Sequence, residues 1–499
     1  MNYKMVRYTL GILLLFEAVF FLVPIVTALC FHEEKALSAF LITAAICIVI
    51  ALPFVVKKPK NIELFSKEGF VIVSLSWILL SAFGALPFVI SGAVPSYLDA
   101  FFEIVSGFST TGSSIIPAVE ELPKALLIWR SFSNWIGGMG VLVFIMAILP
   151  LSGAQNMHIM RAESPGPTVS KLVPRVKKTA SILYLIYIAM TVIMFIMLVF
   201  DPSITVFEAI NASLATAGTG GFGFKNDSMF SLSSYAQVII TLFMIMFSIN
   251  FNSYYLIIKG KIKDAFNSEV KLFLTIALIA IIIIFVDVYA NDALYAPTSE
   301  AEHIERSVGG VLKHAAFTVA TIISTCGFST VNFDLWPALS KFVLITIMFT
   351  GACAGSTAGG FKLSRIIILF KSMLREFGNL IHPNQVKKIS IDDKPLDNAA
   401  VYSVLTYLAT YVFIFFGSLL VISIDQSIFN RAENTFMTNF TAVTACFNNI
   451  GPGLDFVGPT QNFADFSPIS KLILSFDMLA GRLELFPMLI LFTPSTWKK

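Results

Sequence analysis

The chain has 499 residues, 56% of them hydrophobic and 13% charged, with 34 Lys and Arg against 31 Asp and Glu for a formal charge of +3. A soluble domain carries about 25% charged residues, so most of this surface does not face water. The near-balance of charge leaves no basic field for nucleic acid. Five scattered cysteines (Cys30, Cys47, Cys326, Cys353, Cys446) without CxxC spacing exclude a secreted disulfide scaffold.

Long apolar runs occur at 8–30, 38–56, 70–92, 125–150, 180–200, 236–258, 272–290, 339–370, 400–424 and 469–495. Each reaches the ~18 to 20 residues that a spanning helix needs, which predicts an all-α polytopic membrane protein with ten spans. The first run follows Lys4 and Arg7, but it is too long for a signal-peptide core and lacks a small-x-small cleavage site. It reads as an anchor. With the N-terminus inside, the inner loops collect 24 Lys and Arg and the outer loops eight, leaving Arg130 and Arg482 within spans. That bias predicts both termini in the cytoplasm.

Four outer segments, near 98–122, 203–234, 310–338 and 434–467, are too long for turns and too apolar for solvated loops. Each holds a helix-compatible stretch and then a small, polar cluster. The clusters end Ser109-Thr110-Thr111-Gly112, Gly218-Thr219-Gly220-Gly221, Ser324-Thr325-Cys326-Gly327 and Asn448-Asn449-Ile450-Gly451. Their last glycines are 109, 106 and 124 residues apart, the period of an internal fourfold repeat. The reading divides the chain into a two-span hairpin (1–60) and repeats at 61–160, 161–265, 266–390 and 391–499. Non-helical backbone at membrane depth survives only when buried in protein or lining a watery cavity. Four such segments entering from one side are expected to converge and offer carbonyls in place of a cation's hydration shell. Either Gly218 or Gly221 fits the spacing in the second repeat.

Other features are read more plainly. Asp99, Glu103 and Glu208 are expected to cap the short helices, Arg130 to snorkel and Asp287 to lie at the interface. The five dispersed histidines are assigned no role. Gly218-x-Gly220-x-x-Gly223 matches a dinucleotide fingerprint by letter, but it follows no predicted strand and lies between spans on the outer side. It is rejected, so no nucleotide is expected in this chain. Arg482 sits inside the last span, where a charge is costly and usually functional. Its offsets of two and five from Glu484 and Asp477 disfavour a local ion pair. The stretch Gly351 to Gly360 reads either as a small-residue packing face or as a flexible break.

Taken together, these motifs identify a resemblance. Trp129-Arg130, Trp135-Ile136-Gly137-Gly138-Met139-Gly140, Gly355-Ser356-Thr357-Ala358-Gly359-Gly360, Asn448-Asn449-Ile450-Gly451-Pro452-Gly453 and Gly481-Arg482-Leu483-Glu484-Leu485-Phe486-Pro487 resemble the Trk/Ktr/HKT superfamily of potassium transporters. The likeness is to its Trk-type pore subunits and runs over essentially the whole chain. It implies a potassium-selective filter at Gly112, Gly221, Gly327 and Gly451, with carbonyls of Thr110, Thr111, Gly220, Cys326, Asn449 and Ile450. Glycine rather than serine at 112 implies potassium over sodium. The resemblance also implies an intramembrane gate of Gly355, Ser356, Thr357, Gly359 and Gly360, with Arg482 aimed into the pore. It implies a homodimer in the cell inner membrane and a cytosolic, nucleotide-binding partner ring of the TrkA kind, docking near 158–178 and 371–398. Two other functions are weighed. A transporter coupling potassium to sodium or protons needs a second ion site, for which Asp287, Asp477 and Glu484 form no obvious cluster. An intramembrane enzyme lacks any HExxH or paired-histidine constellation.

Overall fold

A backbone inside a hydrocarbon layer must satisfy its own hydrogen bonds, and this chain does so almost wholly with α-helices. The computed structural model describes residues 1–61, 64–140, 176–295, 306–384, 388–392, 394–428 and 435–498. Among them the only sheet is the two-residue pairing of Ser390–Ile391 with Lys394–Pro395. Six helical segments are long and apolar enough to cross a membrane: Tyr3–Cys30, Glu34–Val55, Ser66–Ile90, Ala180–Val199, Ser268–Tyr289 and Asn398–Ile428. They turn large apolar side chains outward, such as Val49 at 67% and Phe413 at 83% exposure. Apolar surface on that scale fits lipid as its solvent. The chain is a multi-pass membrane protein.

The other four apolar runs are not single spans, which corrects the expectation of ten continuous helices. Helices Lys124–Gly138, Ser234–Phe247, Ala338–Thr350 and Pro468–Arg482 run for 13 to 15 residues and then stop. The second bends by 90° into Phe251–Ile258. The third gives way to a loop before Leu363–Ile381, and the fourth turns at Leu483–Leu485 before Phe486–Ile490. Residues 141–150 of the first run lie outside the described residues. Hydropathy does not see these breaks, because the few polar residues that carry them, such as Asn250 and Glu484, are averaged with apolar neighbours and glycine.

Before each half-span comes a short helix: Tyr97–Phe108, Val206–Gly218, Val308–Ile323 and Phe436–Phe447. Each starts at a hydroxyl N-cap (Ser96, Thr205, Ser307 and Thr435) that accepts the N–H three residues on. Acids tie down the N-terminal ends of the half-spans. Glu33 accepts from the N–H groups of Lys124 and Ala125, and Asp287 from Ser340 at 3.0 Å. Asp201 and Asp425 take the hydroxyls of Ser233 and Ser467. Asp287 is therefore a helix anchor rather than an idle interfacial acid. The N-terminal hairpin is fastened by Trp129, whose ring lies 4.7 Å from Phe21 and 5.9 Å from Phe108, with Nε1 donating to the Gly84 carbonyl.

Close helix crossings fall on glycine. A Cβ on Gly138 would stand 2.7 Å from Gly218 Cα and 2.8 Å from the Tyr187 hydroxyl. By contrast, Gly417 has nothing within 4 Å. Gly138→Ala is expected to destabilise the fold by about 1–3 kcal/mol through overpacking, whereas Gly417→Ala leaves it unchanged or slightly firmer. Thermal unfolding in detergent checks this; equal midpoints for the two variants would refute the crossing.

Candidate functional site

The four short helices end inside the protein, so their last carbonyls cannot turn to bulk water. All four solve this in the same way. A residue of left-handed φ follows each end: Thr110 at 58°, Thr219 at 52°, Thr325 at 55° and Asn449 at 56°. The next N–H then reaches back five residues, Thr111 to Ser106, Gly220 to Ala215, Cys326 to Thr321 and Ile450 to Ala445, at 2.8–3.0 Å. This is the Schellman closure. It is made here three times by threonine, a β-branched residue that pays for positive φ.

The following residue in each strip is Gly112, Gly221, Gly327 or Gly451, again of positive φ. A Cβ on Gly112 would run into the Gly220 carbonyl, on Gly221 into that of Cys326, on Gly327 into that of Ile450, and on Gly451 into that of Thr111. The strips thus close a ring, each glycine against the carbonyl that precedes the next glycine. In the second strip Gly221 takes the ring position. Gly218 instead ends its helix against the Asn134 backbone.

A cavity of about 120 Å³ opens outside the ring, with all four glycines, Arg130, Lys225 and Asn226 in its lining. Inside the ring lies the loop of residues 351–362. Its neck is pinched where Gly351 meets Gly360, both of positive φ. The Gly359 N–H donates to Thr325 Oγ1 at 2.6 Å, and Gly359 Cα packs on the Asn448 carbonyl. The Gly355 carbonyl accepts from Phe251 N–H at 3.0 Å, and the Thr357 hydroxyl donates to Phe247, at the bend of the second half-span. Ser356 closes a local turn on the Cys353 carbonyl. Both shoulders of the loop are held by one carboxylate, Glu269, which accepts from Ala354 and Ser364 N–H at 2.8 and 3.0 Å. Arg482 donates to the Thr357 carbonyl at 2.8 Å and to the carbonyls of Gly137 and Gly138. The last two form the negative end of a helix dipole.

The family model described as TrkH, cation transport protein, matches residues 34–499. The chain belongs to the TrkH family. It is 33% identical to the Trk system potassium uptake protein TrkH of Salmonella typhimurium, over the full length of both chains. Against the Trk system potassium uptake protein TrkG of Escherichia coli K12 the figure is 32%, over 99% of each. The crystal structure of the potassium transporter TrkH from Vibrio parahaemolyticus matches with a TM-score of 0.85 at 30% identity, covering both chains completely. TrkH-family proteins transport cations; they are not enzymes.

In this TrkH-family chain the expected ring and loop residues come together, and the charged residues depart from expectation. Glu208 caps its helix in a box with Thr205, and Asp99 lies in the first turn of its own helix, paired with Lys471 at 2.7 Å. Glu103 is a full turn deeper and caps nothing. It pairs with Arg130 at 2.8 Å, both side chains being almost wholly buried. Arg130 does not snorkel, because Glu103, Ser114 and the Gly223 carbonyl take its donors inside the protein. Glu484 pairs with Arg365, not Arg482, while Asp477 accepts from Ser418 and Asp287 from Ser340. These three acids stay apart. Sequence reasoning missed Glu269, whose place in the first turn of a span reads only as a dipole partner, and the Glu103–Arg130 pair. Residues 158–175 of the expected docking loop lie outside the described residues.

Thr325→Val keeps shape while orphaning the Gly359 N–H, a loss of about 1–3 kcal/mol. Hydrogen exchange in a peptide covering 351–362 is expected to quicken by roughly tenfold or more. Unchanged protection would show that the Thr325 hydroxyl does not hold the loop.

Proposed function

We propose that this chain is the pore subunit of a potassium uptake system. Potassium passes inward through the glycine ring and is held back by the loop beneath it. The observation that carries this reading is the cyclic fit of the four strips, which brings the carbonyls of Thr111, Gly220, Cys326 and Ile450 beside successive glycines. Carbonyls of Thr110, Asn449 and the ring glycines complete the binding strips. Backbone oxygens at fixed spacing replace water around a monovalent cation, with no carboxylate needed. The names of the relatives, potassium uptake proteins, support potassium as the cargo.

Below the ring, Gly355, Ser356, Thr357, Gly359 and Gly360 form the gate and Arg482 its electrostatic bar. A guanidinium at that depth repels a cation and locks the Thr357 carbonyl in place. The membrane potential supplies ~2.3 kcal/mol per elementary charge per 100 mV, enough to drive accumulation without coupled hydrolysis in this chain. We place the protein in the cell inner membrane with both termini in the cytoplasm, organised as a hairpin (1–60) and four units at 61–160, 161–265, 266–390 and 391–499. It works as a homodimer with a cytosolic nucleotide-binding partner of the TrkA kind. The helix Leu363–Ile381 supports that docking, since it leaves the gate loop directly and exposes Phe370, Leu374, Phe377 and Leu380.

Rubidium uptake into voltage-clamped proteoliposomes tests the reading. Potassium is expected to compete with rubidium. Gly112→Ser is expected to lower discrimination against sodium by roughly tenfold, the scale of one misplaced polar contact, and Arg482→Ala to speed uptake. If uptake persists and neither change alters it, the ions pass elsewhere.

A further inference from the structure

Beyond its glycine, each strip runs outward for a few residues and is tied back by a side chain. In the first, Glu103 accepts from Ile115 N–H at 2.9 Å and from the Ser114 hydroxyl at 3.0 Å. In the third, the His314 ring bonds the Thr330 hydroxyl at 3.0 Å. In the fourth, the Thr441 hydroxyl accepts from Leu454 N–H at 3.0 Å and donates to its carbonyl at 3.1 Å. These three ties come from the short helix of the same unit. The second strip has its own tie farther out, where Lys225 pairs with Glu208 of its short helix at 3.5 Å, and it is held from outside its unit nearer the glycine: the Gly223 carbonyl accepts from Arg130 Nη1 at 2.9 Å. Arg130 stands on the first half-span, Lys124–Gly138.

Arg130 therefore bridges two neighbouring strips. One edge of its guanidinium binds Glu103 at 2.8 Å and Ser114 at 3.3 Å, and the other binds Gly223. Its face covers the Phe222 ring at 4.2 Å. Ser114 and Gly223 each lie two residues beyond a ring glycine, Gly112 and Gly221. Farther out the same two segments join again through Asn226, which accepts from Val119 N–H at 2.7 Å and donates its own N–H to Glu120 at 2.9 Å. Arg130 is the contact nearest the ring. Its fork is rigid and planar, so the two strips cannot approach or part without breaking a charge-assisted bond.

Charge matters as well as shape. Arg130 is 1% exposed and Glu103 fully buried, yet Arg130 reaches the lining of the cavity outside the ring. That cavity also has Lys225 in its lining. A bare guanidinium there would oppose any approaching cation, and Glu103 is the counter-charge that cancels it.

We propose that the Glu103–Arg130 pair is a positioning device that sets the separation of the first and second strips, and through it the preference for potassium over the smaller sodium ion. A carbonyl ring can close onto a smaller cation only if its strips move inward, and this bridge opposes that movement. The inference rests on the glycine ring being the ion path.

The experiment compares Glu103→Gln, Arg130→Lys and the double change Glu103→Gln with Arg130→Met against wild type and Gly112→Ser in the same proteoliposomes. The readouts are rubidium uptake and its competition by sodium and potassium. Glu103→Gln retains the acceptor for Ser114 and Ile115 but leaves Arg130 unneutralised, so uptake falls by roughly tenfold or more, the weight of a buried charge-assisted contact. The double change removes both charges; uptake rises above that of Glu103→Gln alone while the potassium-to-sodium ratio drops by roughly tenfold, the same weight. Arg130→Lys keeps the charge without the fork, and its ratio falls toward that of the double variant. If the double variant does not fold, Arg130→Lys decides the matter by the same ratio. A wild-type ratio in the folded variants, with Gly112→Ser impaired, overturns the bridge and leaves the ion path standing. A wild-type ratio in Gly112→Ser as well overturns the path itself.

Discussion

A helix that stops inside protein leaves its last carbonyls without partners, and the site is built from four helices that do this. Each is closed by a left-handed residue, which turns the chain so that an N–H meets the orphaned carbonyls while the next carbonyl faces a neighbouring strip. The closure is costly, since Thr110, Thr219 and Thr325 hold a conformation worth about 1–3 kcal/mol of strain each. Surrounding bonds keep them there. Asn449 reaches the Thr111 hydroxyl and the Met478 carbonyl, and Ser113 donates to the Gly451 carbonyl across the first and fourth strips.

The same constraint governs the far side of the ring from the cavity. Where the half-spans break, backbone groups near the break take partners from elsewhere in the protein, some of them from other units. Arg482 caps the first half-span while holding the loop, Glu269 binds both shoulders of the loop, and Phe247 at the second break receives the Thr357 hydroxyl. The loop thus touches Phe247 of the second unit, Thr325 of the third, and Asn448 and Arg482 of the fourth, and Arg482 links it to the first through Gly137 and Gly138. Freeing it requires several weak bonds to give way together, which suits the gating role proposed for it.

Much of this was legible in the residues. The repeated small-polar clusters ending in glycine mark the four strips, because only glycine tolerates both the backbone angle and the close carbonyl. The interrupted apolar run at Gly351–Gly360 fits a packing face as well as a loop, and it was the family resemblance that favoured the loop. Less legible were the half-spans, since hydropathy averages a short break with the apolar residues on either side. Arg130 and Glu103 were misread for a related reason: 27 residues apart on two helices, neither carries a local sign of its partner. Asp287 and Glu269 looked ordinary because a carboxylate at a helix end has the same sequence context whether it meets water or another chain segment.

By itself the sequence determined the membrane class and pointed to the glycine-ended clusters from which the strips are built. These follow from composition, spacing and one-residue sterics, all of which act locally. Only the tertiary structure decided that the strips close in order, that Gly221 and not Gly218 completes the ring, and which buried charge answers which. Such outcomes depend on distances between segments about a hundred residues apart, and a buried ion or carbonyl accepts whichever partner the packing brings within reach.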